Sequence, residues 1–253
     1  MATMAPTSPA ALGDDSLLRL RDEWARVMGG FVPGLAGLED VLCRAAEALH
    51  GRAPARILDA GGGPGLLAER MSRRWPDAAV TVLDLDPVLL ALARAALPDT
   101  TRVLEGDLSA QDWACRAGGE HDLMTVMMTM HYLAPARARA LYREARRALA
   151  PGGLLVVADH IPDDNAASVM RALTSAPDLA EAELAWTRWW DEAAGTEALQ
   201  PLLAARRAAF AEHPATEFFA PVSWHRAAAR EAGFRQVGVL WRCGPLAALT
   251  AVA

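Results

Sequence analysis

The chain has 253 residues, 53% of them hydrophobic and 22% charged, and 31 acidic against 25 basic side chains give a net charge of −6. That size and balance suit one α/β domain with an attached lid better than two independent domains. The negative charge argues against nucleic acid and anionic membranes as partners, and no uninterrupted apolar run reaches membrane-spanning length.

Residues 1–13 read as a disordered tail, because Ala, Thr, Pro and Ser dominate and no signal-peptide pattern is present. A helical N-terminal segment is expected over 14–51. Ser16 is placed to cap a first helix, which Gly29-Gly30 ends, and an amphipathic run over 38–49 gives a second. The first helix, carrying Trp24, either folds over a ligand or packs on the domain; the second reads as core packing.

A βα repeat follows, with strands near 56–59, 80–84, 102–105, 122–127 and 154–159 and helices near 65–74, 87–97 and 135–149. Such alternation demands a parallel sheet covered by helices on both faces. The first strand runs into Asp59-Ala60-Gly61-Gly62-Gly63-Pro64-Gly65. Glycines at every second position can adopt positive φ and bare the backbone for a nucleotide-like ligand at the start of the next helix. The second strand ends in Asp84, roughly 20 residues on, where a strand-end carboxylate can take ribose hydroxyls. The third strand leads through Gly106 to Asp107, so three acidic residues share one sheet edge. Asp86, just before Pro87, reads instead as a helix N-cap.

Gly63-x-Gly65-x-x-Ala68 also satisfies the relaxed dinucleotide fingerprint, which keeps a nicotinamide oxidoreductase in view. Against it, Asp59 would repel a pyrophosphate and attract a cationic amine or sulfonium. A dinucleotide fold also has no evident use for Asp107.

At this point the sequence resembles the class I S-adenosylmethionine-dependent methyltransferases. Asp59-x-Gly61-x-Gly63-x-Gly65 resembles their first motif, Leu83-Asp84-Leu85-Asp86-Pro87 the second and Glu105-Gly106-Asp107-Leu108 the third. His121-Asp122-Leu123-Met124-Thr125-Val126 is similar to their fourth strand, and Leu149-Ala150-Pro151-Gly152-Gly153-Leu154-Leu155 to the turn before the fifth. The resemblance covers 52–160 and the terminal strand pair. It implies a Rossmann-like seven-stranded, mostly parallel sheet with an antiparallel last strand, and S-adenosyl-L-methionine as cofactor. It further implies that Asp59, Ala60, Gly61, Gly63 and Gly65 face the methionine end, that Asp84 holds the ribose hydroxyls, and that Leu85 covers the adenine. Gly106, Asp107 and Leu108 would then border the adenine, with the Met127 backbone near the methionine.

On this reading 52–162 is the cofactor-binding core, 163–215 a helical lid, and 216–253 a helix plus an antiparallel strand pair around Gly244-Pro245. Within the lid, Ala182, Trp186, Trp189, Trp190 and Ala193 share one helical face, which either packs on the domain or walls an acceptor pocket, with Phe210, Phe218 and Phe219 as further candidates. Eight tryptophans beside two tyrosines favour an apolar or aromatic acceptor, with Trp24, His131, Trp186 and Trp190 as its expected contacts.

Methyl transfer depends on holding the acceptor in line, and a base helps when the acceptor is a hydroxyl or a protonated amine. His131, after the fourth strand, and His160, closing the fifth, are candidate bases, with Asp159 to orient one of them. Histidines there can equally serve packing. His213 and His225 are weaker candidates, and the six histidines and three cysteines show no ligand spacing, so no metal is expected. Cys43, Cys115 and Cys243 read as reduced thiols of a cytoplasmic protein. The expected activity is methyl transfer to oxygen or nitrogen of a small molecule, plausibly in secondary metabolism, by an enzyme that could be a homodimer. Two alternatives stay open: an enzyme that consumes the cofactor's aminocarboxypropyl arm, and an inactive cofactor-binding partner subunit.

Overall fold

The computed structural model describes residues 14–173, 176–211, 213 and 216–253; the expected tail over 1–13 lies outside the described residues. Two helices lead in, α1 (Asp14–Phe31) and α2 (Leu35–His50). Two expectations fail in α1: Ser16 lies within the helix rather than ahead of it, and Gly29-Gly30 does not end it. Packing explains the second failure. A Cβ on Gly30 would sit 3.0 Å from the Cβ of Ala182, so this glycine lets the lid approach closely, and that contact offsets its poor helix propensity.

The alternating part follows as β1 (Arg56–Ala60), α3 (Leu66–Arg74), β2 (Ala79–Asp84), α4 (Pro87–Ala96) and β3 (Arg102–Glu105). A short α5 (Trp113–Ala117), absent from the sequence reading, precedes β4 (His121–Met127), α6 (Pro135–Ala148) and β5 (Leu149–His160). β5 begins earlier than expected, because Leu149 already pairs with His121 before an irregularity resets the register at Leu123 and Leu154. The lid region holds α7 (Ala167–Ala172), α8 (Ala176–Gly195) and α9 (Gln200–Phe210). The chain then closes with α10 (Val222–Glu231), β6 (Gln236–Cys243) and β7 (Leu246–Val252).

The seven strands form one sheet in the order β3-β2-β1-β4-β5-β7-β6, and only β7 runs antiparallel to its neighbours. That is the expected architecture. The order reverses between β1 and β4, and in open α/β sheets the crevice beyond the strand ends at such a point binds ligands. Asp86 caps α4 as expected, accepting from Val88 N at 2.9 Å with Pro87 in the first turn.

Burial follows the layers. One face of the sheet packs Leu58, Met124 and Leu155 against Trp113, Tyr142 and Phe234, and the other packs Ile57, Val82 and Val156 against Leu42, Met71 and Leu97. A third cluster joins Leu17, Leu20 and Trp24 of α1 to Val88 and Leu92 of α4 and to Trp189 and Leu203 of the lid. The lid is therefore built onto α1 and α4, beside the crevice.

Candidate functional site

Asp59 ends β1 fully buried, with one carboxylate oxygen accepting from Thr125 Oγ1 at 2.7 Å. Its Oδ2 has no hydrogen-bond partner among the described residues. Burial raises this carboxyl to about 6, against the opposing pull of the Thr125 hydroxyl. A buried, half-satisfied carboxylate carries a large desolvation cost, and a cationic ligand group beside it would relieve that cost.

The loop after it uses its glycines as the sequence suggested. Gly61, Gly63 and Gly65 have φ of 73°, 53° and 71°. At Gly61 a Cβ would lie 2.4 Å from Thr129 Oγ1, and at Gly62 2.7 Å from Asp59 Oδ2. The bared backbone, however, does not offer its glycine amides to a ligand. Gly61 N and Gly62 N donate to Leu83 O, Gly63 N to Asp84 Oδ2 and Gly65 N to Gly62 O. The carbonyls nearby cluster around one hydroxyl: Thr129 Oγ1 lies 2.8 Å from Met127 O and 3.2 Å from Gly61 O. Two carbonyls and the Asp59 carboxylate make an environment for an ammonium group.

Asp84 stands at the end of β2, half-buried, with Oδ2 taking Gly63 N at 2.7 Å and Oδ1 taking Asp86 N at 2.8 Å. Desolvation raises it to about 6 despite those two bonds. A carboxylate has roughly four acceptor sites, so capacity for ribose hydroxyls remains. Leu85 is half-buried beside it, Gly106 is buried with Leu83 directly behind it, and Leu108 is buried. Asp107 accepts from Ser109 N at 2.6 Å and Ser109 Oγ at 2.7 Å, and lies 2.9 Å from His213 Nε2. Burial alone would raise Asp107, but these partners outweigh it and hold the carboxyl below its ordinary range.

Two lid residues thus reach the acidic edge, neither of them legible as such in the sequence. His213 meets Asp107 and Ser109, while Arg206 donates to Asp86 Oδ2 at 2.5 Å. The Arg206 guanidinium also lies over Trp190 at 3.9 Å and Phe210 at 4.8 Å, which holds the lid against the start of α4.

Beyond β4 and β5 the structure brings all three candidate catalytic residues together. Asp159, 3% exposed, accepts from His131 Nδ1 at 2.8 Å, His131 N at 3.1 Å and His160 N at 2.7 Å. A ring that donates Nδ1–H to a carboxylate keeps Nε2 as its basic nitrogen. His160 is half-buried, and burial lowers its affinity for a proton. Phe219, 44% exposed, lies between the two rings, 5.7 Å from His131 and 5.6 Å from His160. His225, by contrast, is buried against Tyr142 OH at 2.8 Å, and burial lowers it to about 4. Phe218 packs on Trp224, away from the histidines.

The tryptophans divide. Trp24 and Trp189 are buried and meet edge to face at 4.8 Å, with Trp189 Nε1 donating to Leu20 O. Both rings belong to the packing that joins α1 to the lid. Trp186 and Trp190 are half-buried at the border of the same cluster. Among the described residues no three His, Cys, Asp or Glu side chains converge as a metal site would require.

A Rossmann-like sheet with β7 reversed, a positive-φ glycine loop at the β1/β4 switch point and carboxylates at the ends of β1 and β2 make up the architecture that the resemblance to class I S-adenosylmethionine-dependent methyltransferases implies. Residues 57–153 match the family described as "Methyltransferase domain". A malonyl-[acyl-carrier protein] O-methyltransferase of Geobacter sulfurreducens is 38% identical over 131 residues, 51% of this chain and 48% of that protein. A trans-aconitate 2-methyltransferase of Methylobacterium nodulans is 38% identical over 112 residues, 44% of this chain and 40% of that protein. The chain thus matches about half the length of these curated relatives or less. In fold, it is similar to an O-methyltransferase family protein from Burkholderia thailandensis, with a TM-score of 0.56 at 20% identity over 94% of this chain and 57% of that one.

Proposed function

We propose that the protein transfers the methyl group of S-adenosylmethionine to an oxygen or nitrogen of a small apolar or aromatic acceptor. Bound in the crevice, the cofactor supplies an electrophilic methyl on a sulfonium. The residues suit it: the carbonyls of Gly61 and Met127 take the ammonium end, with Asp59 behind them acting through bound water or the neighbouring backbone. Asp84 holds the ribose hydroxyls, Leu85 and Leu108 flank the adenine, and Asp107 accepts from its amino group. The close approach at Gly61 and Gly62, where a Cβ would collide with Thr129 and Asp59, fits a loop shaped around a ligand.

The observation that carries the reading is the buried pair of His131, in the short turn that follows β4, and Asp159, near the end of β5. Asp159 fixes the His131 tautomer through Nδ1, so Nε2 can remove the proton from an acceptor hydroxyl or ammonium as it attacks in line. Phe219 offers that acceptor an aromatic surface between His131 and His160, and His160 is a second proton acceptor for it. Trp186 and Trp190 extend the apolar wall, and Trp24 supports them from α1. The three free cysteines support a cytoplasmic setting, and the aromatic lid supports a specialised acceptor of secondary metabolism.

The test is a screen of phenols and aromatic amines for S-adenosylhomocysteine formation, followed by His131→Gln on the best acceptor. Turnover should fall by roughly 10²–10⁴-fold, the usual worth of general base catalysis, with cofactor affinity held within about twofold. Unchanged turnover would remove His131 from the chemistry.

A further inference from the structure

Arg21 of α1 is 5% exposed, yet no charged ligand motif surrounds it in the sequence. Its guanidinium reaches across the structure to the cofactor loop. Nε donates to Pro64 O at 2.8 Å, one terminal nitrogen donates to Gly65 O at 3.1 Å, and that nitrogen also lies 2.8 Å from Glu69 Oε2. Five donors in a rigid planar fork suit Arg to this three-acceptor arrangement, where a lysine offers only a point charge.

The two carbonyls matter because a peptide unit is planar and trans, so its C=O and N–H point in opposite directions. Gly65 O is drawn back towards Arg21 and along α3, where it also accepts from Glu69 N at 2.9 Å. The N–H of Leu66, in the same peptide plane, therefore points the opposite way, out of the first turn of α3. The first amides of a helix lack intrahelical partners and carry its positive end. Arg21, held by its ion pair with Glu69, also fixes that turn from behind. Both effects act on the amino-acid end of the cofactor and not on its adenosine, whose expected partners, Asp84 and Asp107, lie on β2 and beyond β3.

We propose that Arg21 is a positioning residue for the amino-acid end of the cofactor, acting through the Pro64 and Gly65 carbonyls, so that α1 is part of the binding site. This rests on the proposed use of S-adenosylmethionine. It makes the N-terminal helix a device for holding the glycine loop, in addition to its packing against the lid.

Two ligands separate this role from a structural one. S-adenosylhomocysteine carries the amino-acid end, whereas 5′-methylthioadenosine has the same nucleoside without it. Calorimetric titration of both into the wild type, Arg21→Met and Arg21→Lys should show Arg21→Met weakening S-adenosylhomocysteine by at least tenfold. Methylthioadenosine should stay within about twofold, and Arg21→Lys should fall between. Equal losses for both nucleosides, or no loss for either, would overturn the proposal. Where Arg21→Met gives no cooperative melt, Arg21→Lys is judged alone by the same ratio. A wild type that binds neither ligand would refute the cofactor assignment itself, an outcome distinct from failure of the Arg21 role.

Discussion

Replacing Gly61 with alanine tests the geometry of the cofactor loop, because the structure separates two costs. The first is conformational: φ at Gly61 is 73°, and holding an L-residue in the left-handed region costs about 1–2 kcal/mol. The second is steric, since the new Cβ would meet Thr129 Oγ1 at 2.4 Å, Cγ2 at 2.5 Å and Cβ at 2.8 Å. Overpacking of this kind costs about 1–3 kcal/mol. The sum, about 2–5 kcal/mol, corresponds to a melting temperature lower by roughly 4–20 °C for a domain of this size. Gly51 supplies the control: its φ is 63°, but a Cβ there meets nothing within 4 Å. Gly51→Ala should therefore show the first cost alone. Adding Thr129→Gly to Gly61→Ala removes every contacted atom, and the double-mutant cycle should return a coupling of about 1–3 kcal/mol. Thermal melts and S-adenosylmethionine titration of these four proteins and the wild type are the assay. If Gly61→Ala melted with Gly51→Ala and bound as the wild type does, the loop would not have the shape described.

Further outcomes follow from the carboxylates and the lid. Asp59 is raised in the folded protein to about 6 from 3.8, so the cost of its charge is full at pH 8 and absent below 3.8. Asp59→Asn should accordingly raise the melting temperature of the ligand-free protein at pH 8, with a gain that shrinks on acidification, while weakening the cofactor. A lower melting temperature at pH 8 would contradict the buried-charge argument. A cation bound near Asp59 favours its ionised form, so calorimetry in buffers of different ionisation enthalpy should detect proton release near pH 6 and almost none at pH 8. Asp159→Asn should reduce turnover by on the order of 10²–10⁴-fold through loss of the His131 tautomer, with cofactor affinity unchanged. Arg206→Ala removes the contact of the lid with Asp86 and should speed hydrogen exchange across α9; protection equal to the wild type would show that packing alone holds the lid.

The parts of this protein legible in the sequence are those whose cause is local. The strand, glycine loop and helix around Gly61, Gly63 and Gly65 follow from φ preferences and hydrophobic runs that lie side by side in the chain, as does the Asp86 cap with Pro87. Asp59 and Asp84 could be picked out because each sits at or beside the end of a strand, and His131 because it closely follows one. The contacts that complete the site are long-range and leave no local pattern. Arg21 reaches Pro64 across 43 positions and Arg206 reaches Asp86 across 120. Gly30 looked like a helix terminator because its reason for being glycine, Ala182, lies in the lid. The tryptophan face of α8 was visible in its spacing, but periodicity does not say whether an aromatic face meets a ligand or another helix. For Trp24 and Trp189 the neighbour is a helix. The occupied amides of Gly61, Gly62 and Gly63 were equally invisible, since their acceptors on β2 depend on the sheet register.

The central claim is that this crevice binds S-adenosylmethionine for transfer of its methyl group. Its most direct test is calorimetric titration with S-adenosylmethionine, followed by mass spectrometry of the nucleotide after incubation with and without an aromatic acceptor. Saturable binding, an intact cofactor when no acceptor is present, and S-adenosylhomocysteine with a methylated product when one is, are the expected results. Release of methylthioadenosine without an acceptor, or no binding at all, would contradict it.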